Sequence, residues 1–182
     1  SFPNMTYAEA MEKYGSDKPD VRYGLEMATL DAALEGCEFK IFSTALAAAG
    51  GTVKALVVND DGKIPNSKLK PKGDVFNEAV AAGAGGLAFA RVAADGVSLD
   101  GAKGLVEATA AHAAAMIAAA GAKPGELLLF AAGHKALVNK TLDRVRQFVA
   151  KTYGFVPENS HAETWITVFP MFEYNEDESR FE

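Results

Sequence analysis

Residues 15–22 carry four charged side chains that could do chemistry. Asp17, Lys18, Asp20 and Arg22 lie within six residues, around a rigid proline. Two carboxylates and two cations at this density could line a binding site, or they could pair with one another in an ordered loop. We therefore predict an ordered loop beside a site, and the sequence leaves both roles open for the charges.

The last predicted helix, residues 133–154, has a cationic side. At about 100° per residue, Lys140, Arg144 and Lys151 fall in one narrow arc. Such an arc could contact a phosphate backbone, or it could be a solvated face. The lysine-rich stretch 63–72 could extend the same patch. No aromatic residue interleaves with these cations, so stacking of single-stranded bases is not predicted. The apolar arc of the helix contains Leu137, Val138, Leu142, Val145, Phe148 and Val149.

Metal ligation is not predicted. Cys37 is the only cysteine, and it fits a small buried residue at the entrance of a strand. His112, His134 and His161 are far apart and share no ligand spacing with it. The adjacent carboxylates of residues 176–178 point in different directions, which is typical of a charged turn.

The glycines before one predicted strand do not form a phosphate-binding loop. Gly83, Gly85 and Gly86 precede that strand, whereas such a loop follows a strand and opens a helix. We interpret them as a turn. The sequence also contains no nucleophile elbow and no Walker motif.

The composition is that of a globular chain with one core. Its 182 residues are 49% hydrophobic, and the net charge of −6 argues against a protein that coats nucleic acid non-specifically. No apolar run is long enough to cross a membrane, because residues 108–122 are too few and include a histidine. We expect no membrane partner.

A capping box at Thr6 and Glu9, a helix end at Gly15, a helix cap at Asp100 and apolar periodicity predict elements that alternate along the chain. Residues 25–157 are predicted to form a two-layer α/β sandwich with helices on one face of the sheet. The flanks 1–24 and 158–182 contain more aromatic, charged and proline residues, and we expect them to belong to a second body. We also expect both chain ends to be cut from a longer protein. The predicted helices are 6–14, 29–36, 74–82, 100–121 and 133–154; the predicted strands are 38–43, 52–58, 87–93, 126–131, 164–169 and 171–174.

The two flanks resemble the bacterial-type aspartyl-tRNA synthetase family. Residues 2–11 and 14–22 are similar to the run that follows its second class II motif, and residues 165–174 are similar to the strand before its paired histidines. Val168 stands where that family usually has Asp. The chain between the flanks is similar in length and pattern to the family's inserted GAD domain. The resemblance implies an α/β (α+β) fold, with a mainly antiparallel sheet in the insertion and strips of a class II catalytic domain beside it.

The resemblance also implies an activity for the parent protein. That activity is activation of aspartate by ATP, assisted by Mg²⁺, and transfer to the 3′ end of tRNA. The family's catalytic motifs lie before Ser1 or after Glu182, so no catalytic residue, no metal ligand and no bound cofactor is expected in this segment. The loop with Asp17, Lys18, Asp20 and Arg22 would line the catalytic domain.

Partners and location follow from the same resemblance. tRNA would be contacted by Lys140, Arg144 and Lys151, with Lys68, Lys70 and Lys72 as possible additions. The parent is expected to dimerise through regions outside this sequence. It would be cytoplasmic in a bacterium, and mitochondrial or chloroplast otherwise. The alternative is a stand-alone GAD-like module that binds tRNA or a protein.

Overall fold

A computed structural model describes residues 4–158, 165–167, 174–175 and 180–181. The predicted stretches 168–169, 171–173 and 176–178, which include Val168, lie outside the described residues. The elements are β1 (Asn4–Thr6), α1 (Tyr7–Tyr14), β2 (Met27–Thr29), a 3₁₀ turn (Ala32–Leu34), α2 (Lys40–Ala47), β3 (Gly51–Val58), α3 (Asn66–Leu69), α4 (Asp74–Ala81), β4 (Ala88–Val92), β5 (Leu99–Gly101), α5 (Lys103–Thr109), α6 (Ala113–Ala120), β6 (Leu127–His134), α7 (Lys135–Thr152), β7 (Trp165–Thr167), β8 (Tyr174–Asn175) and β9 (Arg180–Phe181).

Five strands form one antiparallel sheet in the order β2-β3-β6-β4-β5. The central pair is β3 and β6, which run from Gly51 opposite His134 to Val58 opposite Leu127. The predicted α/β class and mainly antiparallel sheet are confirmed. None of the helices in the described ranges is both long and apolar enough to span a bilayer.

The prediction of helices on one face of the sheet is wrong, because helices cover both faces. Leu128 and Phe130 of β6 pack in the cluster that contains α2 and α6. Leu127 and Leu129 point the other way, into the cluster that contains α4 and α7. The central strands are therefore buried on both sides. Their continuous apolar runs are typical of strands that are covered on both faces, a signal that the prediction of one covered face did not use.

The predicted strand 38–43 is instead the start of helix α2. Phe42 and Ala45 are buried three residues apart on one side of the helix, whereas Ile41 is 58% exposed. The short alternation of polar and apolar residues thus reflects one helical face, not a pleated strand. Cys37 is buried as predicted, but it precedes this helix and not a strand.

The predicted long helix 100–121 is two helices, α5 and α6. Asp100 does not cap a helix; it lies in β5, paired with Arg91 of β4. The chain turns at residues 110–112, where the His112 Nδ1 lies 3.2 Å from the carbonyl oxygen of Ala33. Alanine favours helix at every position, so local propensity gives no sign of a break that a tertiary contact fixes.

The N-terminal helix α1 is docked on the sheet domain. Its capping box of Thr6 and Glu9 and its end at Gly15 are confirmed. Ala10 and Tyr14 are buried against α7 and β2. Gly15 has φ +66°, and a Cβ there would lie 2.6 Å from the carbonyl oxygen of Asn139, so only glycine permits this approach.

The two flanks meet in a small parallel sheet of β1 and β7. Asn4 lies opposite Trp165, and Thr6 opposite Thr167. The chain therefore leaves and re-enters at neighbouring points, which is the geometry that an insertion requires.

Candidate functional site

The loop that follows α1 is internally paired. The Arg22 Nε donates to the Asp20 Oδ1 at 2.8 Å, and the Arg22 Nη2 donates to its Oδ2 at 2.5 Å. These hydrogen bonds lower the pKa of the Asp20 carboxyl. The side chains of Asp17 and Lys18 form no hydrogen bond or ion pair with the described residues. Of the four predicted site residues, Asp20 and Arg22 therefore neutralise each other, whereas Asp17 and Lys18 have no side-chain partner among the described residues.

A buried arginine of α7 donates hydrogen bonds to the backbone at the end of this loop. Arg146 is 0% exposed. Its Nη2 donates to the carbonyl oxygens of Asp20 at 2.6 Å and Gly24 at 2.7 Å, and its Nε donates to that of Leu25 at 2.9 Å. The guanidinium thus ties together both ends of the segment 20–25.

Two tyrosines enclose the Arg146 guanidinium. Its Cζ lies 4.4 Å from the ring centroid of Tyr14 and 4.5 Å from that of Tyr23. Within the described ranges no carboxylate forms a salt bridge with it, so carbonyl dipoles and ring faces stabilise the charge. Burial lowers the pKa of Arg146, but a guanidinium remains protonated in proteins.

The segment held by Arg146 has an unfavourable backbone. Gly24 and Leu25 both adopt left-handed conformations, with φ +64° and +52°. For leucine this costs about 1–2 kcal/mol. The arginine contacts stabilise a turn that the local sequence would not adopt alone, and this turn sets where the 15–22 loop lies relative to α7.

A second buried cation fastens α1 to the sheet. Lys54 of β3 is 1% exposed, and its Nζ donates to the Glu12 carbonyl oxygen at 3.2 Å and to the Glu12 Oε2 at 3.3 Å. Thr29 donates to the other carboxylate oxygen of Glu12. Burial lowers the pKa of Lys54, and the Glu12 charge opposes that shift. The flank and the sheet domain are therefore joined by polar contacts as well as by packing.

The cationic side of α7 is partly neutralised. The Arg144 Nε donates to the Glu78 Oε2 of α4 at 2.7 Å. Lys140 and Lys151 are exposed. The structure places the three predicted residues along one side of α7, as their spacing requires, and among the described residues only Arg144 has an opposing carboxylate.

Sequence reasoning missed Arg146, although its position gives a signal. It lies about 40° around the helix from Leu142, at the border of the apolar arc, and on the side away from Lys140. Asn139 and Ala150 share its side and are also buried. A second buried arc on one helix indicates a second packing partner, which here is α1 with its loop.

A buried ion pair stabilises the turn after β3. The Asp60 side chain is 0% exposed, and Arg91 donates to its two oxygens at 2.7 and 2.9 Å. The backbone amides of Gly62 and Ile64 also donate to Asp60. Burial raises the pKa of Asp60, but the Arg91 and amide hydrogen bonds outweigh burial, so the net shift is downward.

Among the described residues, no group of three or more His, Cys, Asp or Glu side chains could hold a metal ion. No chemical step is assigned to the described residues.

Known proteins resemble this chain both in the sheet domain and in the two flanks. Residues 42–142, more than half of the chain, match the GAD domain family. Over its whole length the chain is 47% identical to the aspartate–tRNA(Asp/Asn) ligases of a Synechococcus and a Cyanothece strain, and 44% identical to that of Trichodesmium erythraeum. It spans 30% of the length of each of these relatives. The match runs from within α2 to the middle of α7 and includes β3, β4 and β6, and the chain therefore belongs to the GAD domain family.

Proposed function

We propose that this chain is a segment of an aspartate–tRNA ligase, the enzyme that uses ATP to attach aspartate to tRNA. The observation that carries the proposal is the match over 100% of the chain, flanks included, to proteins named for that activity. A free GAD-like module would need similarity only across the sheet domain. Because the relatives are bacterial, we place the parent in the cytoplasm, and we propose that it dimerises through other regions.

The proposed division of labour gives the segment a positioning role. Residues 25–157 form the insertion, and 1–24 with 158–182 belong to the catalytic body. The pairing of β1 with β7 supports this division, since it brings the two flanks together. Arg146 and Lys54 fasten the insertion to the flank, so α7 and the 15–22 loop keep a fixed relation.

The activity test compares two proteins. The full-length parent should catalyse aspartate-dependent exchange of pyrophosphate into ATP, and the 182-residue chain alone should not. The reason is that the charge-stabilising groups needed for adenylate formation lie outside this sequence. Exchange above background by the chain alone would show that catalysis resides here. A full-length protein that exchanges with another amino acid would overturn the proposal itself.

The cationic side of α7 is proposed to contact tRNA phosphates. Changing Lys140, Arg144 and Lys151 together to glutamine in the full-length protein should raise the KM for tRNA. With about three phosphate contacts, the logarithm of the tRNA binding constant should fall only shallowly with the logarithm of the salt concentration. The slope is roughly −0.7 to −0.9 per contact. Aspartate-dependent exchange should not change, because it involves no tRNA. Charging of tRNA at an unchanged KM in both low and moderate salt would mean that this side is only solvated.

A further inference from the structure

A cavity of about 560 Å³ opens where β4 begins. Ile41 of α2, Phe76 of α4 and Leu137 of α7 form walls, and Gly85 with Gly86 forms the edge next to β4. Its volume lies in the range of small-molecule sites. Among the described residues that line it, Thr141 alone has a polar side chain.

The Thr141 hydroxyl is buried without a hydrogen-bond partner in the described part of the chain. An unpaired buried hydroxyl is unfavourable by about 1–3 kcal/mol. Thr141 lines the cavity but its hydroxyl oxygen is inaccessible, so a ligand would reach it only after neighbouring side chains shift slightly. A ligand with a polar edge would satisfy this group, whereas a hydrocarbon would not.

Four exposed lysines are sequence neighbours of residues that line the cavity. Lys40 adjoins Ile41 in sequence, Lys70 and Lys72 flank the lining residue Pro71, and Lys140 adjoins Thr141; all four lysines are exposed. None of the immediate sequence neighbours of the lining residues is acidic. This local excess stands out in a chain with 24 acidic and 18 basic residues.

The acidic groups on the nearby helix α4 are already engaged. Glu78 accepts from Arg144, and Asp74 accepts from the Tyr153 hydroxyl at 3.2 Å. Glu78 is thus neutralised by an arginine, whereas Asp74 keeps its negative charge and accepts from a neutral hydroxyl. An apolar cavity with a buried unpaired hydroxyl, and with exposed lysines next in sequence to its lining residues, suits a flat, polar-edged ring joined to phosphate.

We propose that this cavity takes one unpaired nucleobase of an RNA strand, with the adjoining phosphates held by Lys70, Lys72 and Lys140. The inference rests on the proposed function, because tRNA is the RNA that the proposed parent enzyme would bind. Phe76 is half-buried, so part of its ring is free to stack on a base. The tertiary structure thus supplies the aromatic partner that the lysine-rich stretch lacks in sequence.

The test fills the cavity. A Cβ on Gly86 would lie 3.7 Å from the Phe76 ring, an ordinary contact at an unstrained backbone position. Gly86→Leu should therefore occupy the stacking space without unfolding the chain. The matched control is Gly104→Leu, an exposed position on α5 with open space around it, across the sheet from Phe76.

The probes are a labelled single-stranded RNA of eight nucleotides and an abasic strand of the same length. We expect the wild type and Gly104→Leu to bind the RNA about 10-fold more tightly than the abasic strand, as stacking of one base provides. Gly86→Leu should bind both strands alike, because only the phosphate contacts remain. Should Gly86→Leu unfold, Phe76→Leu takes its place, since it keeps apolar volume and removes the aromatic ring.

Equal binding of the two strands by the wild type would overturn the inference, as would an unchanged preference in the filled variant. An apolar peptide that competes for the cavity while RNA does not would also overturn it. Aminoacylation by the full-length protein separates the two proposals. Normal charging with an unchanged KM for tRNA in Gly86→Leu removes only the cavity inference, whereas absence of aspartate charging in the wild type removes the proposed function.

Discussion

Arg146→Met is expected to lower the free energy of unfolding by about 3–5 kcal/mol, because it leaves several buried carbonyl oxygens without a donor. The change removes every hydrogen bond to the Asp20, Gly24 and Leu25 carbonyl oxygens. It also leaves the left-handed turn at Gly24 and Leu25 without the contacts that stabilise it. Urea unfolding followed by circular dichroism measures the loss, and hydrogen exchange should show faster exchange of amides 20–25.

Two companion variants separate charge from geometry. Arg146→Lys keeps the charge but has neither the planar fork nor the flat face that stacks between Tyr14 and Tyr23, so it should recover only part of the loss. Arg144→Met, two residues away and exposed, removes a surface ion pair with Glu78 and should change stability by less than about 1 kcal/mol. A stability of Arg146→Met within that same small margin would contradict the role assigned to the guanidinium.

Asp60→Asn is expected to destabilise the chain by about 3 kcal/mol at pH 7. The change removes the charge that compensates Arg91 at a side chain that is 0% exposed. Because the Arg91 side chain is 24% exposed, water can partly solvate its unpaired charge. The loss of stability should therefore lie near the lower end of the range for broken buried ion pairs. The Gly62 amide donates to the Asp60 Oδ1 and the Ile64 amide to its Oδ2, so the single oxygen of asparagine keeps only one of these hydrogen bonds and its NH2 group leaves the other amide unpaired.

The effect should depend on pH in a defined direction. The pKa of Asp60 is lower in the folded chain than in the unfolded one, where it is about 4. Its stabilising contribution is therefore complete above about pH 4 and disappears as the pH falls through the folded-state value. The gap between wild type and Asp60→Asn should be constant from pH 7 to 5 and should narrow below pH 4.

Urea unfolding at pH 7, 5, 3.5 and 2.5 measures this gap. The control is Asp61→Asn, an exposed neighbour whose left-handed φ of +47° suits asparagine equally well. It should show no such pH-dependent gap. A gap of the same size at pH 2.5 and pH 7 in Asp60→Asn would show that the ionised carboxylate is not what stabilises the turn.

The sequence by itself determined the elements whose signals are local. The capping box of Thr6 and Glu9, the glycine that ends α1 and the apolar arc of α7 depend on neighbours within a few residues, and the structure has them as predicted. The flanking motifs indicated the family for the same reason, since a motif is a contiguous string. The cationic arc of α7 also follows from spacing alone, but its role in binding stays a prediction.

Tertiary structure decided the features that depend on contacts between distant parts of the chain. α2 replaces a predicted strand, because burial of Phe42 on one side of a helix is favourable only once β6 supplies Phe130. In the sequence Arg146 resembles the exposed cations of α7. It is buried because α1 and the loop after it, more than a hundred residues earlier in the chain, pack against it. Phe76 likewise joins the lysines only through folding. A single sequence records which charges and rings exist, whereas the packing of remote segments decides which of them are buried, paired or left free to bind.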